Sequence, residues 1–120
     1  EFLKVYDIVN QANQVAFEAV RPGVTAESID KAARDFITAA GYGDAFLHRT
    51  GHGLGFDIHE PPYIVRGDKT VLEEGMVFSI EPGIYLRGKF GVRIEDIVTV
   101  TADGARRFNL STHDLQIVEP

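Results

Sequence analysis

The spacing of apolar residues changes after Gly41, and this change constrains the fold more than any other feature of the 120-residue sequence. Before Gly41, apolar residues recur every three or four positions in residues 1–20 and 25–40, as expected of two amphipathic helices. Thr25 is suited to cap the second helix and Gly41 to end it. After Gly41, short β-branched runs lie between glycine and proline turns. The pattern therefore predicts one α+β domain, with two helices followed by a mainly antiparallel sheet.

Two of the later runs place acidic residues in predicted strands. Residues 77–81 form one strand, which ends at Glu81 just before a Pro-Gly turn, and residues 92–100 form a longer one. Alternation along the longer strand puts Glu95 on one face and Asp96 on the other. The face that holds Asp96 is otherwise apolar: Val92, Ile94, Val98 and Val100. We therefore expect this face to be buried and Asp96 to need a polar partner.

Composition excludes several functional classes. The net charge of −6 and the lack of a basic run argue against binding to nucleic acid or to an anionic membrane surface. No apolar run approaches the ~20 residues that span a bilayer. The sequence has no cysteine, which excludes disulfides and thiolate metal sites. We expect a cytoplasmic protein without membrane or nucleic-acid partners.

A cluster of histidines marks the candidate site. Three of the four histidines lie between His48 and His59, among glycines that allow positive φ or a close approach to a ligand. Imidazole is the commonest metal ligand, and carboxylates on apolar strands are costly unless they are paired or bind a metal. His52, Glu81 and Glu95 therefore form a plausible nitrogen and oxygen ligand set for a divalent ion.

The same residues also have ordinary structural interpretations. His48 and His59 could brace the loop by hydrogen bonding, Glu81 could cap the turn that follows it, and Glu95 could pair with Arg93. We interpret five other charged residues as ordinary solvated groups: Glu60, Glu73, Glu74, Arg106 and Arg107. We interpret His113 as an ordinary polar residue with satisfied hydrogen bonds.

Three sequence blocks carry a family resemblance. They are Gly-His-Gly-Leu-Gly with His-Glu-Pro-Pro in residues 51–62, Leu-Glu-Glu-Gly-Met-Val-Phe-Ser-Ile-Glu-Pro-Gly in residues 72–83, and Gly-Val-Arg-Ile-Glu-Asp in residues 91–96. In this order and spacing they resemble the second half of the catalytic domain of Xaa-Pro peptidases, the prolidases and proline aminopeptidases. These enzymes are related to methionine aminopeptidase and creatinase and share the pita-bread fold. The last block favours the Xaa-Pro branch.

The resemblance implies a metal-dependent hydrolase. His52, Glu81 and Glu95 match ligands of a two-metal centre, in which Glu81 also transfers protons and Glu95 bridges the two ions. The ions would be manganese, cobalt or zinc, and the substrate an Xaa-Pro peptide cleaved before proline.

Three more positions acquire roles from the resemblance. His48 and His59 match catalytic histidines that contact substrate and stabilise the tetrahedral intermediate, and Arg93 matches an arginine that orients the acidic ligands.

The resemblance also implies that residues 1–120 lack part of the site. The family site has five protein ligands, and its two aspartates would precede Glu1, so we expect a truncated half-domain that binds at most one metal weakly and is inactive alone. Two alternatives are a catalytically silent peptide- or protein-binding module on the same fold and a creatinase-like hydrolase that works without metal. Since half a sheet leaves an open edge, we also expect a homodimer.

Overall fold

The computed structural model describes residues 1–119, in which two α-helices precede seven strands. Helix α1 spans Phe2–Ala19 and α2 spans Ala26–Ala39. A short 3₁₀ turn at Gly43–Ala45 leads into the strands. The strands are β1 (Gly51–Gly53), β2 (Glu60–Ile64), β3 (Val77–Ile80), β4 (Gly83–Leu86), β5 (Phe90–Arg93), β6 (Asp96–Thr101) and β7 (Gly104–Arg107). No helix in this part of the chain is long and apolar enough to cross a membrane.

The strands form one main sheet and one separate ribbon. The main sheet has the order β2-β1-β3-β6-β7, and β4 pairs with β5 in a two-stranded ribbon. Every strand pair is antiparallel, which confirms the predicted α+β architecture.

Both predicted helices are confirmed, and they bury their apolar faces in one core with the sheet. The predicted capping by Thr25 is wrong in its chemistry: Thr25 occupies the N-cap position, but its side chain makes no capping hydrogen bond. Instead the hydroxyl of Ser28 donates to the Thr25 carbonyl at 2.6 Å, and the amide of Ala26 donates to the Thr70 carbonyl at 2.8 Å. Gly41 follows α2 with a φ of +94°, as its role in ending the helix requires.

The long strand predicted over residues 92–100 is in fact two strands in different sheets. Strand β5 ends at Arg93 in the ribbon, and β6 begins at Asp96 in the main sheet. The residues expected on the buried face are nevertheless buried across the break: Val92, Ile94, Asp96, Val98 and Val100. Thr99, expected on the opposite face, is buried as well. Periodicity predicted the buried face correctly but could not detect the change of pairing partner.

The buried carboxylate of Asp96 has the partners that its burial demands. Asn109 Nδ2 donates to Oδ1, Arg107 Nε donates to Oδ2 at 3.1 Å, and His113 Nε2 lies 2.9 Å from Oδ2. The interpretation of Arg107 as solvated charge is therefore wrong, since its guanidinium also packs 3.8 Å from the Phe17 ring centre. His113 is a hydrogen-bonded polar residue, as expected, with its other ring nitrogen 3.1 Å from an Asn10 oxygen.

Candidate active site

The two candidate glutamates lie where the chain passes between the main sheet and the ribbon. In the main sheet β3 pairs with β6 up to Ile80 opposite Asp96, and in the ribbon the pairing resumes with Gly83 opposite Arg93. Glu81 and Glu95 therefore occupy the two short links between these paired segments, one in each crossing. The antiparallel register brings them to the same junction although fourteen residues separate them in sequence.

His52 reaches this junction from the middle of β1, which pairs with both β2 and β3. The flanking glycines serve close packing of the backbone. A Cβ on Gly51 would lie 1.8 Å from the Ser79 carbonyl oxygen, and one on Gly53 would lie 2.4 Å from the Pro61 oxygen. The expectation that these glycines free the loop for positive φ is wrong, since neither has a positive φ. They let three strands approach closely enough to bury His52.

The ring of His52 is held in one orientation and contacts Glu81. Its Nδ1 lies 3.1 Å from the Gly53 carbonyl oxygen, which can only accept, so Nδ1 carries the hydrogen. Its Nε2 lies 3.3 Å from Oε2 of Glu81, and the two side chains are only 10% and 15% exposed. A backbone carbonyl on Nδ1 is the usual partner of a histidine that binds metal through Nε2.

The Glu95 carboxyl lies close enough to Glu81 for the two groups to interact electrostatically. Burial raises the pKa of the Glu95 carboxyl, the charge of Glu81 raises it further, and the charges of Arg93 and His52 oppose the rise. The two carboxylates thus repel each other, and a cation between them would relieve the repulsion.

The three predicted ligands are neighbours, but they do not surround one point. Within residues 1–119 no group of three His, Asp or Glu side chains is arranged to hold a metal ion. The donor types suit manganese, cobalt or zinc, and the anchored ring of His52 fits a ligand. The residues present therefore fit part of a metal site.

His48 and His59 differ in how firmly they are held. His48 Nδ1 is 2.7 Å from the Arg49 carbonyl oxygen and Nε2 is 2.7 Å from the Tyr85 hydroxyl, so both ring nitrogens are engaged. His59 is exposed, and its ring packs edge-on against His52 with ring centres 4.4 Å apart. His48 is thus braced, whereas His59 is accessible.

Sequence reasoning missed Tyr85. Burial raises the pKa of its hydroxyl, with a further rise from the charge of Glu81 that Arg93 opposes. A protonated Tyr85 can donate to Nε2 of neutral His48, whose Nδ1 donates to a carbonyl. Tyr85 lies four residues after Glu81, so strict alternation of side chains along an extended chain would have placed both on the same face. The Pro-Gly sequence between them instead predicts a turn, which conceals this relation.

Arg93 ends β5 beside the junction and is exposed. Its charge lowers the pKa values of both Tyr85 and Glu95, against the stronger effect of burial in each case. It is therefore close enough to influence the acidic groups electrostatically, as its predicted orienting role requires.

Comparisons with known proteins give a consistent result. The family model for metallopeptidase family M24 matches residues 1–102. The chain is 55% identical over 115 residues to an Xaa-Pro dipeptidase of Lactobacillus helveticus, covering 96% of this chain and 31% of that protein. Among solved structures, an Xaa-Pro dipeptidase from Bacillus anthracis superposes with a TM-score of 0.95 at 42% identity, covering 98% of this chain and 33% of that one. An X-Pro aminopeptidase from Thermotoga maritima gives a TM-score of 0.94 at 39% identity, with the same shares covered. The chain thus spans about a third of the length of these relatives.

Proposed function

The chain belongs to metallopeptidase family M24, and from this premise we propose that it forms the C-terminal half of the catalytic domain of an Xaa-Pro peptidase, which cleaves the bond before proline. The observation that carries the proposal is the contact between Nε2 of His52 and the carboxylate of Glu81 at 3.3 Å, with Nδ1 of His52 anchored on a backbone carbonyl. A structural histidine needs a hydrogen-bond partner, but a buried imidazole aimed at a carboxylate pair suits a metal site. Two of the relatives are named for the same kind of substrate, one as an Xaa-Pro dipeptidase and the other as an X-Pro aminopeptidase. These names support the same substrate class for this chain.

We assign the metal-binding role to His52, Glu81 and Glu95. When bound, divalent ions would polarise the scissile carbonyl and make a water more acidic. The Glu81 carboxylate, 15% exposed, is accessible enough to take a proton from the attacking water and pass it to the leaving amine. Arg93 keeps the carboxylates oriented by its charge.

We assign His59 to substrate contact because its exposed ring lies against His52. His48 holds the Tyr85 hydroxyl beside the junction, and a direct contact of His48 with substrate stays a prediction. A hydroxyl fixed in this way can donate a hydrogen bond to negative charge that develops on a carbonyl oxygen.

Charge limits what residues 1–120 can bind. Two carboxylates supply −2, which balances one divalent ion but not the +4 of two. We therefore propose at most one weakly held ion per chain and negligible turnover of Xaa-Pro substrates by the chain alone.

Calorimetric titration with manganese tests the metal assignment. We expect a stoichiometry of at most one, with Glu81→Gln weakening binding at least tenfold and the exposed Glu73→Gln leaving it unchanged. Two tight ions per chain would refute the charge argument. Equal binding by both variants would refute the assigned site.

An assay on Ala-Pro and longer Xaa-Pro peptides with added manganese tests the activity. Turnover that disappears in Glu81→Gln would support the assigned chemistry but contradict the expectation that residues 1–120 are inactive alone.

A further inference from the structure

One ion pair on α2 reaches both segments that carry candidate site residues. Asp30 is 2% exposed, and its two carboxylate oxygens accept hydrogen bonds from Nη2 and Nε of Arg34 at 3.0 and 3.2 Å. Oδ1 of Asp30 also accepts from the backbone amide of Thr50 at 3.2 Å and from its hydroxyl at 2.7 Å. The buried carboxylate thus joins α2 to the residue just before β1.

Arg34 uses its remaining donors on the segment that carries His48. Nη1 donates to the Phe46 carbonyl at 3.0 Å, and Nη2 donates to the His48 carbonyl at 2.8 Å. The guanidinium carbon also lies 4.0 Å from the centre of the Phe46 ring. A planar group with five donors can make these contacts and pair with a carboxylate at once, which an ammonium group cannot do.

Thr50 extends the same constraint to Glu81. The carbonyl of Thr50 accepts a hydrogen bond from the Glu81 amide at 2.7 Å. Because Thr50 is completely buried and held by Asp30 from the other side, the start of the Glu81 link has a fixed position. Two hydrogen bonds separate the carboxylate of Asp30 from the backbone of Glu81.

We propose that Asp30 and Arg34 are positioning residues of the active site, which fix the backbone of His48 directly and that of Glu81 through Thr50. This inference rests on the function proposed above. A second pair on the same helix, Lys31 and Asp35, has the same spacing, but its hydrogen bond joins two exposed side chains. That pair supplies a matched control.

The test follows the site in the isotope-labelled 120-residue chain. In Arg34→Lys we expect the Glu81 amide to exchange with solvent at least tenfold faster relative to the Val98 amide, which lies in the central strands. We also expect the ring nitrogen signals of His48 to shift, because its backbone loses the Arg34 hydrogen bond while its ring stays tied to Tyr85. Lys31→Gln should change neither signal.

A second variant guards against general loss of folding. Thr50→Val keeps the shape and the carbonyl but removes the hydroxyl bond to Asp30, so we expect faster exchange at Glu81 with His48 unchanged. Equal acceleration at Glu81 and Val98 in Arg34→Lys, or no change at either signal in both variants, would overturn the proposal. Manganese titration separates the two hypotheses, since equal binding by Glu81→Gln and Glu73→Gln would refute the proposed metal site without altering the exchange result.

Discussion

Replacing Asp96 by asparagine should be among the most damaging isosteric changes in this chain. The carboxylate is 1% exposed and pairs with Arg107 and His113, while Asn109 donates to it. Asparagine fits the same space but carries no charge, and its amide nitrogen would face groups that themselves donate. The variant therefore leaves the guanidinium of Arg107 partly buried without its counterion.

The expected cost follows from the burial of the partners. Removing one member of a buried ion pair costs ~3–5 kcal/mol, and the lower end applies here because the side chains of Arg107 and His113 are 24% and 22% exposed and retain some water. A loss of about 3 kcal/mol in the free energy of unfolding corresponds to roughly 12 °C in Tm for a domain of this size.

Urea unfolding followed by circular dichroism measures this difference, with Asp35→Asn as the control. Asp35 is 63% exposed and pairs only with exposed Lys31, so the same loss of charge there should change stability by less than about 0.5 kcal/mol. The pH dependence gives a second reading. Burial alone would raise the pKa of Asp96, but hydrogen bonds from Asn109 and His113, the charge of His113 and the Arg107 bond outweigh it and lower the pKa below 3.8.

The sign of this shift fixes where the difference disappears. A lowered folded-state pKa gives stability that is complete above pH 3.8 and is lost as the pH falls through the folded value. The gap between wild type and Asp96→Asn should therefore be constant near neutral pH and shrink in acid. A gap equal to that of Asp35→Asn, or one that persists unchanged at about pH 2.5, would refute the reasoning.

Three further predictions address the site and the sheet. Gly51→Ala should lower the free energy of unfolding by about 3 kcal/mol, because its Cβ would lie 1.8 Å from the Ser79 oxygen. In the control Gly104→Ala the nearest atom is 3.9 Å away, so the change should stay within ~0.5 kcal/mol. Equal losses for the two variants in urea unfolding would contradict this. Because the pKa of Glu95 is raised above 4.5, the wild-type chain without added metal should lose stability relative to Glu95→Gln as the pH rises through the folded-state pKa of Glu95. Parallel curves of unfolding free energy against pH for the two proteins would contradict this prediction. Edge strands β2 and β7 lead us to expect a dimer in sedimentation at micromolar concentration, and a clean monomer would end that idea.

The fold was predictable where local patterns decide it. Both helices follow from spacing of three and four, and the buried face of residues 92–100 follows from alternation. The break between Arg93 and Asp96 could not be predicted, because the chain keeps its alternation while it changes sheets. Only the pairing with distant strands distinguishes the two segments, and a single sequence gives no information about that pairing.

The residues of the candidate site could be predicted from the sequence, but the residues that hold them in place could not. The contact of His52 with Glu81 agrees with the predicted ligand set, although the assignment as ligands stays a prediction. Tyr85 and Arg107 were missed or misread because their partners, His48 and Asp96, are distant in sequence. The pairing of β6 with β7 brings Asp96 to Arg107, and the packing of the loop before β1 brings His48 to Tyr85. An arginine beside another arginine gives no sign in sequence that one of the two is the counterion of a buried carboxylate.

The junction between the two sheets explains why the glutamates lie where they do. A carboxylate inside a paired, buried strand needs polar partners that replace water, as Asp96 has, and such a group is not free to meet a substrate. A carboxylate on a distant loop would lack a fixed position. The links that hold Glu81 and Glu95 avoid both problems, since each is a short step outside the strands. Each link joins residues whose register is fixed, Ile80 with Asp96 and Gly83 with Arg93. The fixed backbone on both sides of each link sets where the half-buried Glu81 and the exposed Glu95 begin. The charge of Glu81 raises the pKa of the Glu95 carboxyl, so the two carboxylates repel each other when both are ionised, and protonation or a cation between them would remove the repulsion.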